Sequence, residues 1–238
     1  MRSRKAAGYA DPRALARLCP PEASILMTAP RRYKPSKRRE ATSEARRQRI
    51  REAAWSVFAR HGLDAATISQ IVAASGASTG SFYNDYRTKQ AVFDELLTDL
   101  LAQVRTVTAQ ARARADDLET MLQLSYRDLL VLILGIEEAL PFIARNQHHI
   151  RTRLYELEGI DSLLGDIRRD VVRGVPGLSL APWQVSLVAS LIVSNGIETL
   201  LLLEGRDRID VDEIAGLMTR LVIGGIGGIG SLAAAQQI

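Results

Sequence analysis

The chain has 238 residues, 47% of them hydrophobic and 24% charged, which is the composition of a globular protein with one or two cores. Aromatics at 5% are sparse for an all-β fold, and a single cysteine, Cys19, excludes an internal disulfide and any metal site built on two thiolates. The net charge of +4 conceals an asymmetry: residues 1–60 carry 16 Lys+Arg against 5 Asp+Glu, residues 61–100 carry 2 against 5, and residues 101–238 carry 13 against 17. The basic end is therefore the candidate for contact with a polyanion.

Residues 1–42 read as a flexible basic extension. Five of the eight prolines fall in the first 35 residues, and the cations Arg31, Arg32, Lys34, Lys37, Arg38 and Arg39 close the segment. Met27 opens a stretch that reads like a start of its own, so Met1 and Met27 both stand as starts. No apolar run of signal-peptide length follows Arg2, Arg4 and Lys5. From residue 36 to residue 140 there is no proline, no Asn-Gly or Asp-Gly hairpin signal and no period-2 alternation, so the expectation is all-α.

The first helix is expected from Ser43, with Ile50, Ala53, Ala54, Val57 and Phe58 on one face at 3.6-residue spacing and Gly62 as a left-handed cap. Trp55 lies off that face and is expected to pack while partly exposed. Thr67 caps a short helix over Ile68–Ala74. Ser75-Gly76-Ala77 is a turn, and Ser78 caps a third helix reaching Tyr83 or Tyr86. Two short helices joined by a tight glycine-bearing turn make a helix-turn-helix. Thr88 caps a longer helix with Phe93, Leu96, Leu97, Leu100, Leu101 and Val104, ending near Ala115. Five more helices are expected near 117–137, 139–156, 160–173, 182–204 and 210–226. The domain reading is 43–90 for the helix-turn-helix unit, 91–226 for a second helical domain, and 227–238 for a flexible tail. The Gly224–Gly230 run, which leads into that tail, is expected to fray, the alternative being that its small residues allow close helix approach.

Within this layout Phe58, Gly62, Thr67, Ile68, Ile71, Gly76, Ser78, Gly80, Tyr83, Lys89 and Phe93 stand in the register of one pattern: Phe-x-x-x-Gly, a Thr before Ile-x-x-Ile-Ala, Gly-Val-Ser, then Gly-Thr-Leu-Tyr-x-x-Phe and Lys. Residues 50–97 thereby resemble the DNA-binding domain of the TetR family of bacterial transcriptional regulators. The departures are Ala77, Thr79, Ser81, Phe82 and Tyr86. The resemblance implies a three-helix DNA-binding domain followed by a helical ligand-binding and dimerisation domain, and a regulator of transcription, commonly a repressor.

The residues themselves support a DNA-contacting role. Ser78, Thr79 and Ser81 are small and polar at the start of the recognition helix, where base edges are read, and Gly80 allows close backbone approach. Tyr83 is expected on a phosphate, as the resemblance implies. Thr67 and Thr88 head helices whose free N–H groups suit phosphate, and both also read as simple caps. Arg46, Asn84, Tyr86 and Lys89 complete the expected DNA-contacting set. The recognition helix has no cation of its own, so nonspecific attraction is expected from Arg31–Arg39 and Arg46–Arg51.

The partners expected are a double-stranded DNA operator, a small-molecule effector and a second copy of the chain. Leu101, Leu122, Tyr126, Leu130, Phe142, Tyr155 and Trp183 are candidates for the effector pocket that the resemblance implies. The helix 182–204 is apolar nearly all round and must bury two faces, so Leu187 and Leu191, with Leu217 and Leu221 of the following helix, are expected at a homodimer interface. A membrane span there is disfavoured by Asn195 and Glu198, and a cytoplasmic location is expected. No cofactor, metal site or enzyme is expected. Nucleophile-elbow, phosphate-loop and zinc-ligand motifs are missing, His148 and His149 splay about 100° apart on a helix, and the pairs Asp116-Asp117 and Glu137-Glu138 do the same. The competing reading is a helical dimeric interaction protein of this fold without specific DNA binding.

Overall fold

A computed structural model describes the backbone of residues 37–156, 162–174 and 180–235; the side chains of 37–40, 155 and 229–235 lie outside the description. The chain divides into two units, Met1–Glu40 and Ala41–Ile238. The described part of the first is one turn of helix, so the extension expected to run to residue 42 is helical from Lys37. Arg31, Arg32 and Lys34 lie outside the described residues.

The described residues form helices and no strands. They are α1 (Lys37–Ala65), α2 (Ile68–Ser75), α3 (Thr79–Asp85), α4 (Lys89–Ala113), α5 (Leu118–Leu134), α6 (Ala139–Glu156), α7 (Leu163–Gly174), α8 (Pro182–Leu203) and α9 (Val211–Ala235). The expected starts of α2, α3, α4 and α5 hold because the caps form. Thr67 Oγ1 accepts from the Gln70 N–H while Gln70 Oε1 accepts from the Thr67 N–H, a reciprocal box. Ser78 Oγ accepts from the Ser81 N–H, Thr88 Oγ1 from Ala91 and Asp117 Oδ1 from Thr120. Those last hydrogen bonds, from Thr120 first, hold the exposed Asp117 carboxyl below its usual range. Gly76 stops α2 in the left-handed conformation, φ 64° and ψ 13°, which a glycine adopts without steric cost.

Two boundaries differ from expectation. Gly62 has the positive φ foreseen, 73°, but its ψ of 161° is not that of a left-handed cap, and one further turn of helix follows to Ala65. A side chain is excluded there twice over: the backbone is open essentially to glycine alone, and a Cβ would stand 3.2 Å from the Arg145 carbonyl oxygen on α6. At the other end α9 does not stop at 226 but continues to Ala235. Glycines weaken a helix without forbidding it, and Ile226, buried at the far end of α9, supplies an apolar anchor.

The core runs through both halves. Ile50, Val57, Phe58, Ile71, Phe82, Val92 and Phe93 join α1, α2 and α3 to α4, and Leu122, Tyr126, Leu130, Phe142, Ile192, Leu200 and Met218 fill the centre of the larger half. There α5 lies between α4 and α9, and α8 packs against α6 and α7. By length and apolarity α8 is able to cross a membrane. In the fold, Val185, Val188, Ile192, Gly196 and Leu200 turn one of its faces into the core.

Candidate nucleic-acid interface and effector cavity

The surface at the start of α3 is built by an anchor and its neighbours. Phe82 is fully buried, and Tyr83, next in sequence, points the other way, 53% exposed, with its ring edge-on to Phe82 at 5.7 Å. Thr67, Ser78, Thr79, Gly80, Asn84 and Thr88 are exposed beside it, and Ser81 is half-buried. At Gly80 a Cβ would meet nothing nearer than Ser78 Oγ at 4.0 Å, so the fold itself does not require glycine there.

Electrostatics sharpen this face. Asp85, the only acid of α3, is gripped by Arg46 through Nε and Nη2 at 2.8 and 3.0 Å, and its side chain is 9% exposed. The carboxylate that would repel phosphate is thus covered and neutralised. That geometry corrects the sequence reading of Arg46, whose guanidinium is committed to Asp85 and Ser43. Arg47 and Arg51 are committed in the same way: Arg47 to Glu95 and the Tyr86 hydroxyl, Arg51 to Glu95 and Asp99. These pairs lock α1 onto α4. Within Arg46–Arg51 only Arg49 is exposed and outside an ion pair among the described residues.

Two further members of the expected contact set are structural. Tyr86 is 4% exposed, packs on Phe82 and lies under the Arg47 guanidinium, and burial raises the pKa of its phenol. It takes a core position because its ring falls on the same side of α3 as Phe82. Lys89 Nζ donates to the carbonyls of Asp64 and Ala66 at 2.9 and 2.7 Å, capping the end of α1. Sequence reasoning also passed over Arg87. It is exposed, stands in the turn after α3 and has no ion-pair partner among the described residues. The signal was present, since a lone cation between Tyr86 and Thr88 follows directly on a helix that has none.

Behind this domain α6 connects two sites. Asn146, 1% exposed, accepts the Leu63 N–H at 2.7 Å and donates to the carbonyls of Phe58 and Phe142. It satisfies the backbone that the Gly62 bend leaves open. Trp55 stacks on Phe142 with ring centroids 4.0 Å apart and donates from its indole N–H to the Glu137 carbonyl, the packing role expected of it. Ile143, Ile150 and Leu154 of the same helix line a cavity of about 120 Å³ among α4, α5, α6, α7 and α8. Its wall is aliphatic apart from Thr108, Ser125 and Tyr126.

Of the residues expected around an effector, Leu101 and Tyr126 line the cavity. Leu122, Leu130 and Phe142 are buried in the core and do not line it. Trp183 is 66% exposed in the first turn of α8 and does not line it, and the Tyr155 side chain lies outside the described residues. Tyr126 is held by its hydroxyl, which donates to the Ile192 carbonyl at 3.3 Å and accepts from Asn195 Nδ2 at 3.5 Å; burial pushes its pKa up to about 12. The four leucines expected at a subunit interface, Leu187, Leu191, Leu217 and Leu221, are 51–62% exposed.

Residues 50–96 match the model of a family described as bacterial regulatory proteins, tetR family. That match covers the helix-turn-helix domain of this chain. Sequence similarity beyond that domain is short. The HTH-type transcriptional regulator YdgC of Bacillus subtilis, uncharacterised, is 39% identical over 62 residues, 26% of this chain and 32% of its own length. The HTH-type transcriptional repressor KstR2 of Rhodococcus jostii is 32% identical over 85 residues, 34% of this chain and 42% of its own. The chain thus matches less than half the length of either. The fold similarity is wider: the transcriptional regulator FadR of Bacillus subtilis, solved with stearoyl-CoA, superposes with a TM-score of 0.60 at 19% identity, covering 75% of this chain and 98% of that one. The tetR-type domain and the helical half behind it are thus one shared architecture.

Proposed function

We propose that this chain is a DNA-binding transcriptional regulator that acts as a homodimer in the cytoplasm and answers to a small apolar molecule. The observation that carries the reading is the start of α3, where Ser78, Thr79, Gly80, Tyr83 and Asn84 are exposed on a tetR-type domain while Asp85 is neutralised by Arg46. Small polar groups at the N-terminal turn of a recognition helix suit base edges, and a projecting phenol suits a phosphate. Thr67 and Thr88 are exposed and head two more helices, whose free N–H groups suit phosphate. Arg49 and Arg87, with the basic segment Arg31–Arg39, supply the positive charge that α3 lacks.

The second half supports the rest of the reading. Exposed leucines spaced by four on α8 and α9 suit a second copy of the same surface, and the aliphatic cavity suits an apolar effector. Asn146 and the cavity-lining Ile143 and Ile150 share α6, so a ligand that displaces this helix also disturbs the end of α1. Repression relieved by the ligand is the mode we assign, in keeping with the repressor name of the Rhodococcus relative. A gel-shift titration of the full chain and a Tyr83→Ala variant on duplex DNA at two salt concentrations tests the DNA reading. Strong salt dependence for the full chain and weaker binding by the variant support it; equal binding by both removes α3 from the interface.

A further inference from the structure

The cavity has a chemical signature narrower than apolarity. None of the residues that line it carries a charge. Guanidiniums on the surrounding helices are already paired: Arg105 with Asp166, Arg112 with Asp170, Arg151 with Glu198. A carboxylate seated in the cavity would therefore lie in a low-dielectric space without a counter-ion, which is strongly unfavourable.

Its three polar side chains are not equivalent. Thr108 Oγ1 donates back to its own helix, at the carbonyls of Val104 and Arg105. The Tyr126 hydroxyl is engaged by Ile192 and Asn195. Ser125, half-buried on α5, makes no side-chain hydrogen bond among the described residues, although a helical serine has a carbonyl four residues back within easy reach. Of the three, Ser125 is the lining residue whose hydroxyl no group of the described fold engages, so it is the one that can pair with a polar atom of a guest.

We infer that the effector is an uncharged molecule whose apolar body fills this cavity and whose single oxygen function, a carbonyl or hydroxyl as in a ketone, ester, thioester or alcohol, is read by the Ser125 hydroxyl. Ser125 donates to a carbonyl oxygen, or exchanges a hydrogen bond with an alcohol; no covalent step is involved. At about 120 Å³ the cavity is a little smaller than the engineered cavities of about 150 Å³ that accept benzene, so the part seated in it has roughly the bulk of a six-carbon body. The inference rests on the proposed effector role of the cavity and narrows it to one class of ligand.

The test uses the full chain at pH 8 with three probes of similar bulk in ligand-observed NMR titrations: 2-hexanone, hexanoate and benzene. 2-Hexanone is expected to bind, and hexanoate to bind at least about tenfold more weakly, because it carries its charge into the cavity. Ser125→Ala, which removes only a hydroxyl, is expected to weaken 2-hexanone by about threefold to tenfold and to leave benzene unchanged. Hexanoate binding as tightly as 2-hexanone, or Ser125→Ala affecting both neutral probes alike, overturns the inference while leaving the cavity as a ligand site. Failure of all three probes to bind overturns the cavity reading, and the inference with it.

Discussion

The Asn146 side chain on α6 accepts the backbone N–H of Leu63 at 2.7 Å, one residue past the Gly62 bend, and donates to the Phe58 carbonyl before it. One buried amide therefore closes the break in α1 from outside that helix. Removing it leaves the Leu63 N–H buried and unpaired, so Asn146→Ala is expected to destabilise the protein by about 1–3 kcal/mol, read as a lower urea midpoint. Gly62→Ala is expected to cost a similar amount, about 1–3 kcal/mol, from the positive φ and the 3.2 Å approach to the Arg145 carbonyl. Unchanged midpoints would show that α6 does not depend on this joint.

Phe82 and Tyr83 are adjacent and opposite in role. Phe82→Ala is expected to lose about 3–5 kcal/mol of stability as a core deletion. Tyr83→Phe is expected to change stability by less than about 0.5 kcal/mol, because the residue is exposed and its hydroxyl makes no hydrogen bond among the described residues. Thermal unfolding of both variants separates them. A large loss for Tyr83→Phe would make Tyr83 a packing residue.

The exposed leucines predict association. Leu191→Glu combined with Leu221→Glu is expected to yield a monomer at micromolar concentration where the native chain sediments as a dimer, since each change sets a carboxylate in an apolar interface. Analytical ultracentrifugation decides it. A dimer that persists unchanged would place the subunit contact elsewhere.

Tyr126 gives the cavity an alkaline signature. Its phenol ionises near 10 in the unfolded chain and is pushed up to about 12 by burial in the fold. The folded state then holds a proton that the unfolded state has released, so stability is fully present below pH 10 and falls as pH rises from 10 toward 12, by about 1–3 kcal/mol. Tyr126→Phe is expected to flatten this part of the stability profile. A slope of the same steepness in the variant would assign the alkaline loss to other groups.

Much of the helical layout is legible in the residue pattern, for identifiable reasons. Thr67, Ser78, Thr88 and Asp117 cap the helices they head, and the 3.6-residue stripe from Ile50 to Phe58 faces inward as written. The four leucines chosen for a subunit contact are all exposed. Pairings between distant helices are not legible. Nothing local distinguishes Arg46 and Arg47, which meet Asp85 and Glu95 at separations of 39 and 48 residues, from Arg49, which meets solvent. Tyr86 and Lys89 stand in the expected DNA-contacting set because their partners, Arg47 and the carbonyls at the end of α1, are set only by tertiary packing. The cavity was legible in kind but not in membership. Leu101 and Tyr126 face it, whereas Phe142 faces Trp55 and Phe93, and apolar residues on a packed helix do not announce which neighbour they meet.

The central claim is that the start of α3 reads DNA sequence, and selection of binding sites from a random duplex pool addresses it directly. The native chain is expected to enrich a motif with two inverted half-sites, mirroring a two-fold dimer, and Thr79→Ala or Ser81→Ala is expected to alter the preferred bases while Tyr83→Phe weakens binding without altering them. A pool that shows no enriched motif with the native chain, or the same motif with every variant, would contradict the account.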